Sequence, residues 1–95
     1  MFSEFGTRVR QLREGKQILQ RQVASEVEID IPMLSKIERC DRRAKKSQIL
    51  LFAIVMKGAH KELFTLWLAD HILEIVNGET VIPKAIHLAS KRLPK

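Results

Sequence analysis

Apolar residues recur at helical spacing along most of this chain. Phe5, Val9 and Leu12 fall at i, i+4 and i+7. Val23, Ala24 and Val27 make one apolar stripe of about a turn, and Leu34 and Ile37 stand three apart with Met33 beside them. Start and stop residues bound these patterns. Ser3 is placed to cap a first helix that ends near Glu14, before Gly15. A second helix is expected over residues 20–27 and a third over 31–39, with Asp30 as N-cap and Pro32 in its first turn. A fourth spans 47–56, capped by Ser47 and ended by Gly58. A longer fifth helix runs over 60–76 up to the stop signal Asn77-Gly78. The stretch 79–93 has Ile82, Ala85, Ile86 and Ala89 on one side and Pro83 in a first turn, which predicts a sixth. No segment alternates with period two, so the class is all-α.

The second and third helices lie almost back to back, separated by residues 28–30, which are too few for a strand or a linker. Two helices joined by so short a turn form the helix-turn-helix unit, whose second helix enters the DNA major groove. Charge points the same way. The net charge is +6, and residues 1–57 hold 12 Lys/Arg against 7 Asp/Glu, whereas 58–95 hold 5 against 4. The basic half is therefore the half with the paired helices, and a basic field attracts phosphate backbones. The bland alternative is a soluble basic surface.

Gln20, Val23-Ala24, Ile29-Asp30 and Leu34-Ser35-Lys36-Ile37-Glu38-Arg39 resemble the Xre/Cro/C1-type helix-turn-helix repressors, over roughly residues 5–67. The resemblance implies a lambda-repressor-like five-helix domain, here residues 1–76 with a dimerising fifth helix, followed by a short helical tail, 77–95. Three positions depart from the family pattern. Leu19 stands where Ser or Thr usually caps the second helix, and Glu28 and Cys40 stand where Gly is usual. Glycine is favoured at such turns because positive φ costs it little.

By motif, the base-reading positions fall on Ile31, Pro32 and Lys36. Lys36 can donate to guanine O6 and N7, whereas Ile31 and Pro32 can only pack on thymine methyl groups. The alternative is that Ile31 is a core or staple residue and Pro32 merely starts the helix. Met33 reads as core. Phosphate contacts are expected to flank this helix. Gln20 opens the second helix, whose free N–H groups attract an anion, with Arg21 beside it. Ser35 lies within the third helix. The run from Arg39 to Lys46 holds five bases and one acid. Its Arg39, Arg42, Arg43, Lys45 and Lys46, with Ser47, are the further candidates, against the alternative of a merely solvated face. The resemblance also implies that Arg13 and Glu38 form an internal ion pair bracing the first helix against the third.

The segment 60–76 is apolar on more than one face, and a surface helix needs only one stripe of about 100°. An exposed apolar patch usually marks an interaction surface. A homodimer is therefore expected, with Phe64, Trp67, Leu68, His71, Ile72 and Ile75 in its interface. The alternative is that the tail helix covers the extra face, and the tail could also pack on the partner. A two-fold dimer implies an inverted-repeat operator with recognition helices about 34 Å apart.

The chain reads as one domain, too short for a separate effector domain, so no small-molecule ligand is expected. One cysteine excludes an internal disulfide and a Cys-rich zinc site, and the three histidines lack ligand spacing, so no metal or other cofactor is expected. No apolar run approaches a membrane span and no signal-peptide core follows Met1, which reads as a cytoplasmic chain without membrane partners. No catalytic constellation is visible, so an enzyme is not expected. Arg39, Arg42 and Arg43 near Cys40 leave a redox-sensing thiol as a minor alternative. The competing function is a protein-interaction module, antitoxin-like, whose main partner is a second polypeptide.

Overall fold

The computed structural model describes residues 4–76 and 82–94. All its regular elements there are helical: α1 Glu4–Gly15, α2 Gln20–Val27, α3 Ile31–Glu38, α4 Ile49–Val55, α5 His60–Val76 and α6 Ile82–Arg92, with a 3-10 turn at Lys46–Gln48 before α4. The all-α class therefore holds among the described residues. Ser3, Asn77, Gly78 and Glu79, expected to bound the first, fifth and sixth helices, lie outside them.

The apolar stripes converge on one core. Phe5 and Val9 of α1, Val23 and Val27 of α2, Leu34 and Ile37 of α3, Ile49 and Phe52 of α4, and Leu63 of α5 are all buried. Phe52 sits at the centre, its ring meeting Phe5 edge to face with centroids 5.5 Å apart. α1 packs on α3 and α5, α2 packs on α3 and α4, and α4 packs on α5. α1 comes tight against α3 at Gly6, where a Cβ would stand 2.2 Å from the Ile37 carbonyl oxygen.

Turn chemistry differs from expectation in instructive ways. Ser47 caps nothing: it lies inside the 3-10 turn, whose start is closed by the Gln48 side chain accepting from Lys45 N–H at 2.8 Å. At α2, Leu19 offers no side-chain acceptor, and instead Gln22 reaches back to accept from Leu19 N–H at 2.9 Å. Glu28 and Cys40 both adopt the left-handed backbone usually left to glycine, with φ of 63° and 69°. Each ends its helix as a Schellman turn. Glu28 and Ile29 N–H donate to Ser25 and Ala24 carbonyls, and Cys40 and Asp41 N–H donate to Ile37 and Lys36 carbonyls. A side chain in that region costs about 1–2 kcal/mol, of which glycine's greater chain entropy returns part. Glu28→Gly is thus expected to stabilise the fold by about 0.5–1 kcal/mol, read as a higher midpoint in urea unfolding.

α5 is fixed to the bundle by a line of mostly polar side chains. Leu63 is buried, and Trp67 Nε1 donates to the Ala44 carbonyl at 2.7 Å. The Asp70 carboxylate accepts from the backbone N–H of Glu4 and Phe5, at 3.0 and 3.1 Å. Asp70 therefore serves the start of α1 as a cap supplied from another helix, where a carboxylate meets the positive end of the helix dipole. Glu74 pairs with Arg43.

Candidate nucleic-acid interface

The outer face of α3 is built by what its inner face does. Asp30 caps the helix by accepting from Met33 N–H at 2.7 Å, and Leu34 and Ile37 plug into the core. Met33 is half-buried against that core, as its spacing suggests. What remains outward is Ile31, Pro32, Lys36 and Arg39, all exposed. Lys36 makes no ion pair or side-chain hydrogen bond among the described residues, so its ammonium is available to an outside acceptor. Ile31 is 45% exposed, which removes it from the core.

A brace holds this helix in register. Arg13 donates to both carboxylate oxygens of Glu38, Nε to Oε2 at 2.6 Å and Nη2 to Oε1 at 3.0 Å. A third guanidinium N–H reaches the Ile18 carbonyl at 3.2 Å. The bidentate geometry matches the planar fork to the carboxylate. Hydrogen bonding to Glu38 holds the Arg13 guanidinium above its ordinary pKa, against the opposing effect of burial. A raised pKa on a cation stabilises the fold at every pH below its unfolded value and is lost only in strong alkali. The brace therefore contributes no pH dependence near neutrality from its arginine.

Gln20 is tied into the same brace, its Nε2 donating to Ser35 Oγ at 3.2 Å and Glu38 Oε1 at 3.1 Å. Both amide protons are thus directed inward, whereas the Ser35 hydroxyl, acting as acceptor, keeps its own proton for an outside oxygen. Arg10, Leu19, Gln20, Ser35 and Arg39 line an open cleft of about 440 Å³ over the Arg13–Glu38 pair. Arg10 is exposed and, among the described residues, pairs with Glu14 at 3.3 Å on its own helix. It was not among the candidates from sequence. Its position three residues before Arg13, on the same helical face, is the signal that would have found it. Arg39 pairs with Asp41 at 3.4 Å, both well exposed, and such a surface pair opens at little cost. Arg21 is exposed beside Gln20.

The basic run after α3 does not act as one strip. Arg42 and Lys45 are exposed, as is Ser47. Arg43 departs from its expected role as an outward cation. Its guanidinium lies 4.8 Å over the Trp67 ring and pairs with Glu74, clasping the loop to α5. Lys46 leans the same way, its Nζ 5.7 Å over the Phe64 ring. Arg43→Ala is accordingly expected to lower stability by about 1 kcal/mol, through one half-exposed ion pair and one cation–π contact, measurable by chemical unfolding without DNA.

The expected interface residues divide too. Phe64 and Trp67 are half-buried against the core, and Trp67 stacks on His71 at 5.6 Å. Leu68, His71, Ile72 and Ile75 are exposed. Among the described residues no cluster of His, Cys, Asp and Glu could hold a metal ion, and no helix is long and apolar enough to cross a membrane. No family model, curated protein or solved structure matches the chain.

Proposed function

We propose that the chain is a sequence-specific double-stranded DNA-binding transcriptional regulator with a lambda-repressor-like arrangement of its first five helices. In this reading it acts as a homodimer on an inverted-repeat operator, by occupying the promoter. The observation that carries the reading is the division of α3 into a locked face and an outward face. Leu34, Ile37 and Glu38 are fixed inside, while Ile31, Pro32 and Lys36 stand outward and the basic cleft of Arg10 and Arg39 lies alongside. A rigid helix with a short basic and apolar edge suits base readout, and flanking arginines suit phosphates. Net charge of +6 supplies the field that brings a polyanion near.

The test is selection of bound sequences from a random duplex pool at physiological salt. An enriched inverted repeat is the expected result, and retention with no enriched motif would defeat the reading. Lys36→Ala is expected to lose about 1–3 kcal/mol on the selected site with little change on random duplex. Equal loss on both would remove Lys36 from base readout.

A second reading, a protein-interaction module, draws on the exposed apolar residues Leu68, Ile72 and Ile75 of α5. A stoichiometric second polypeptide that co-purifies with the chain, with no operator found, would favour it.

A further inference from the structure

The first turn of α3 offers carbon where a base would be read. Ile31 and Pro32 are both exposed, and neither side chain can donate or accept a hydrogen bond. The backbone there is largely engaged as well. Pro32 has no N–H, Met33 N–H donates to the Asp30 carboxylate at 2.7 Å, and Leu34 N–H donates to the Asp30 carbonyl at 3.1 Å. Both outward side chains are stiff. The Pro32 ring is fixed, and a β-branched residue such as Ile31 keeps essentially one χ1 rotamer on a helix. A surface of this kind loses little freedom on contact. Polar side chains resume one turn later, at Ser35 and Lys36, four residues after Ile31 and Pro32.

The four bases meet that surface on unequal terms. Adenine, guanine and cytosine present polar edges in the major groove with no methyl beside them. Carbon pressed on those edges strips water from N7, O6, N6 or N4 and returns no hydrogen bond. Thymine loses water at O4 too, but it alone of the four carries a methyl group, at C5. 5-Methylcytosine carries the same methyl at the same ring position. We propose that the first turn of α3 reads the pyrimidine 5-methyl group itself. It therefore takes thymine over uracil and 5-methylcytosine over cytosine, and methylation of a cytosine opposite Ile31 or Pro32 strengthens binding. This inference rests on the proposed DNA binding, and adds to it the chemical group that is read and a covalent mark on DNA that controls occupancy.

The experiment uses the full chain and random duplex pools made with thymine and, in parallel, with uracil. On the sequence selected from the thymine pool, synthetic duplexes carry thymine, uracil, cytosine or 5-methylcytosine at each pyrimidine in turn, and binding is titrated at one salt concentration. Uracil in place of thymine in one half-site is expected to weaken binding about fourfold at the contacted position, the worth of one buried methyl. At that position 5-methylcytosine is expected to bind about fourfold more tightly than cytosine. Ile31→Ala and Pro32→Ala, both at exposed positions and checked for helicity, test the assignment. One or both are expected to erase the two ratios, whereas Lys36→Ala leaves them unchanged. A selected operator on which uracil and thymine bind equally at every position overturns this inference and leaves the proposed function standing. Ratios that survive in both alanine variants overturn it too, because the methyl then acts through DNA shape. Enrichment of unmethylated cytosine at the position those variants affect overturns it as well, and assigns the reading to the Asp30 carboxylate. No enriched sequence from either pool overturns the inference and the proposed function together.

Discussion

Arg13→Ala is expected to cost about 3–5 kcal/mol, a large share of the stability of a domain this small. The Glu38 side chain is 3% exposed and Arg13 14%. Removing the guanidinium deletes three hydrogen bonds and leaves the carboxylate buried with the Gln20 amide as its remaining side-chain donor. A buried anion without its counter-charge has lost its water and gained nothing to replace it. The paired replacement separates this penalty from the worth of the bridge itself. Arg13→Met with Glu38→Leu is expected to recover most of the loss, because desolvating two ions roughly offsets their attraction. Urea unfolding of the parent, the single variant and the double variant measures both numbers. A single variant within about 0.5 kcal/mol of the parent would mean that water or Gln20 fully satisfies Glu38. The double variant carries a further consequence. With Glu38 gone, Gln20 loses one acceptor and is released toward the cleft, so Arg13→Met/Glu38→Leu tests register without charge.

The sequence made the first three helices legible because each has a clean stripe and a start or stop residue of known chemistry. Asp30 and Pro32 locate the start of α3 to the residue, and α2 and α5 run as their patterns predict. The start of α4 was misjudged because Ser47 resembles a cap, whereas the turn is closed by Gln48 from within. The side chains that fix α5 could not be read at all. Asp70 lies 65 residues from Phe5, and nothing local to either tells that the carboxylate will cap α1. Arg43 shows the same limit. A base in a basic run looks like its neighbours until tertiary packing places Trp67 beneath it and Glu74 beside it. At the candidate interface, the motif pointed to Lys36 and the basic run to Arg39, and both are outward residues. Neither identified Arg10, whose relevance depends on how α1 lies against α3. Glu28 and Cys40 are a different case. The sequence marks both as unusual, and the structure resolves them by keeping the glycine-type turn and accepting the strain of a side chain in it.

Gly6→Ala is the other substitution with a large expected effect, and it reaches the candidate interface from behind. An added Cβ would stand 2.2 Å from the Ile37 carbonyl oxygen and 3.3 Å from its carbon, distances that no rotamer choice relieves. The obstacle is backbone, and that carbonyl is already engaged by Cys40 N–H in the turn that ends α3. α1 and α3 must therefore separate by an ångström or so, which opens the core around Val9 and Leu34 and lengthens the Arg13–Glu38 contact. Overpacking of this kind costs about 1–3 kcal/mol, and a rigid obstacle places it at the upper end. Thermal unfolding is expected to show a lower midpoint, and a variant that melts with the parent would mean that α1 can shift freely along α3. The functional consequence differs from that of Lys36→Ala. Lys36→Ala removes one contact and leaves the helix in place, so discrimination at particular base pairs should fall while binding to random duplex persists. Gly6→Ala keeps every outward side chain but tilts the helix that presents them, so discrimination should fall across the whole half-site, with the salt dependence nearly unchanged because the cations remain. Comparing the two variants on one selected operator therefore distinguishes a site made of separate contacts from one that depends on the pose of α3 as a whole.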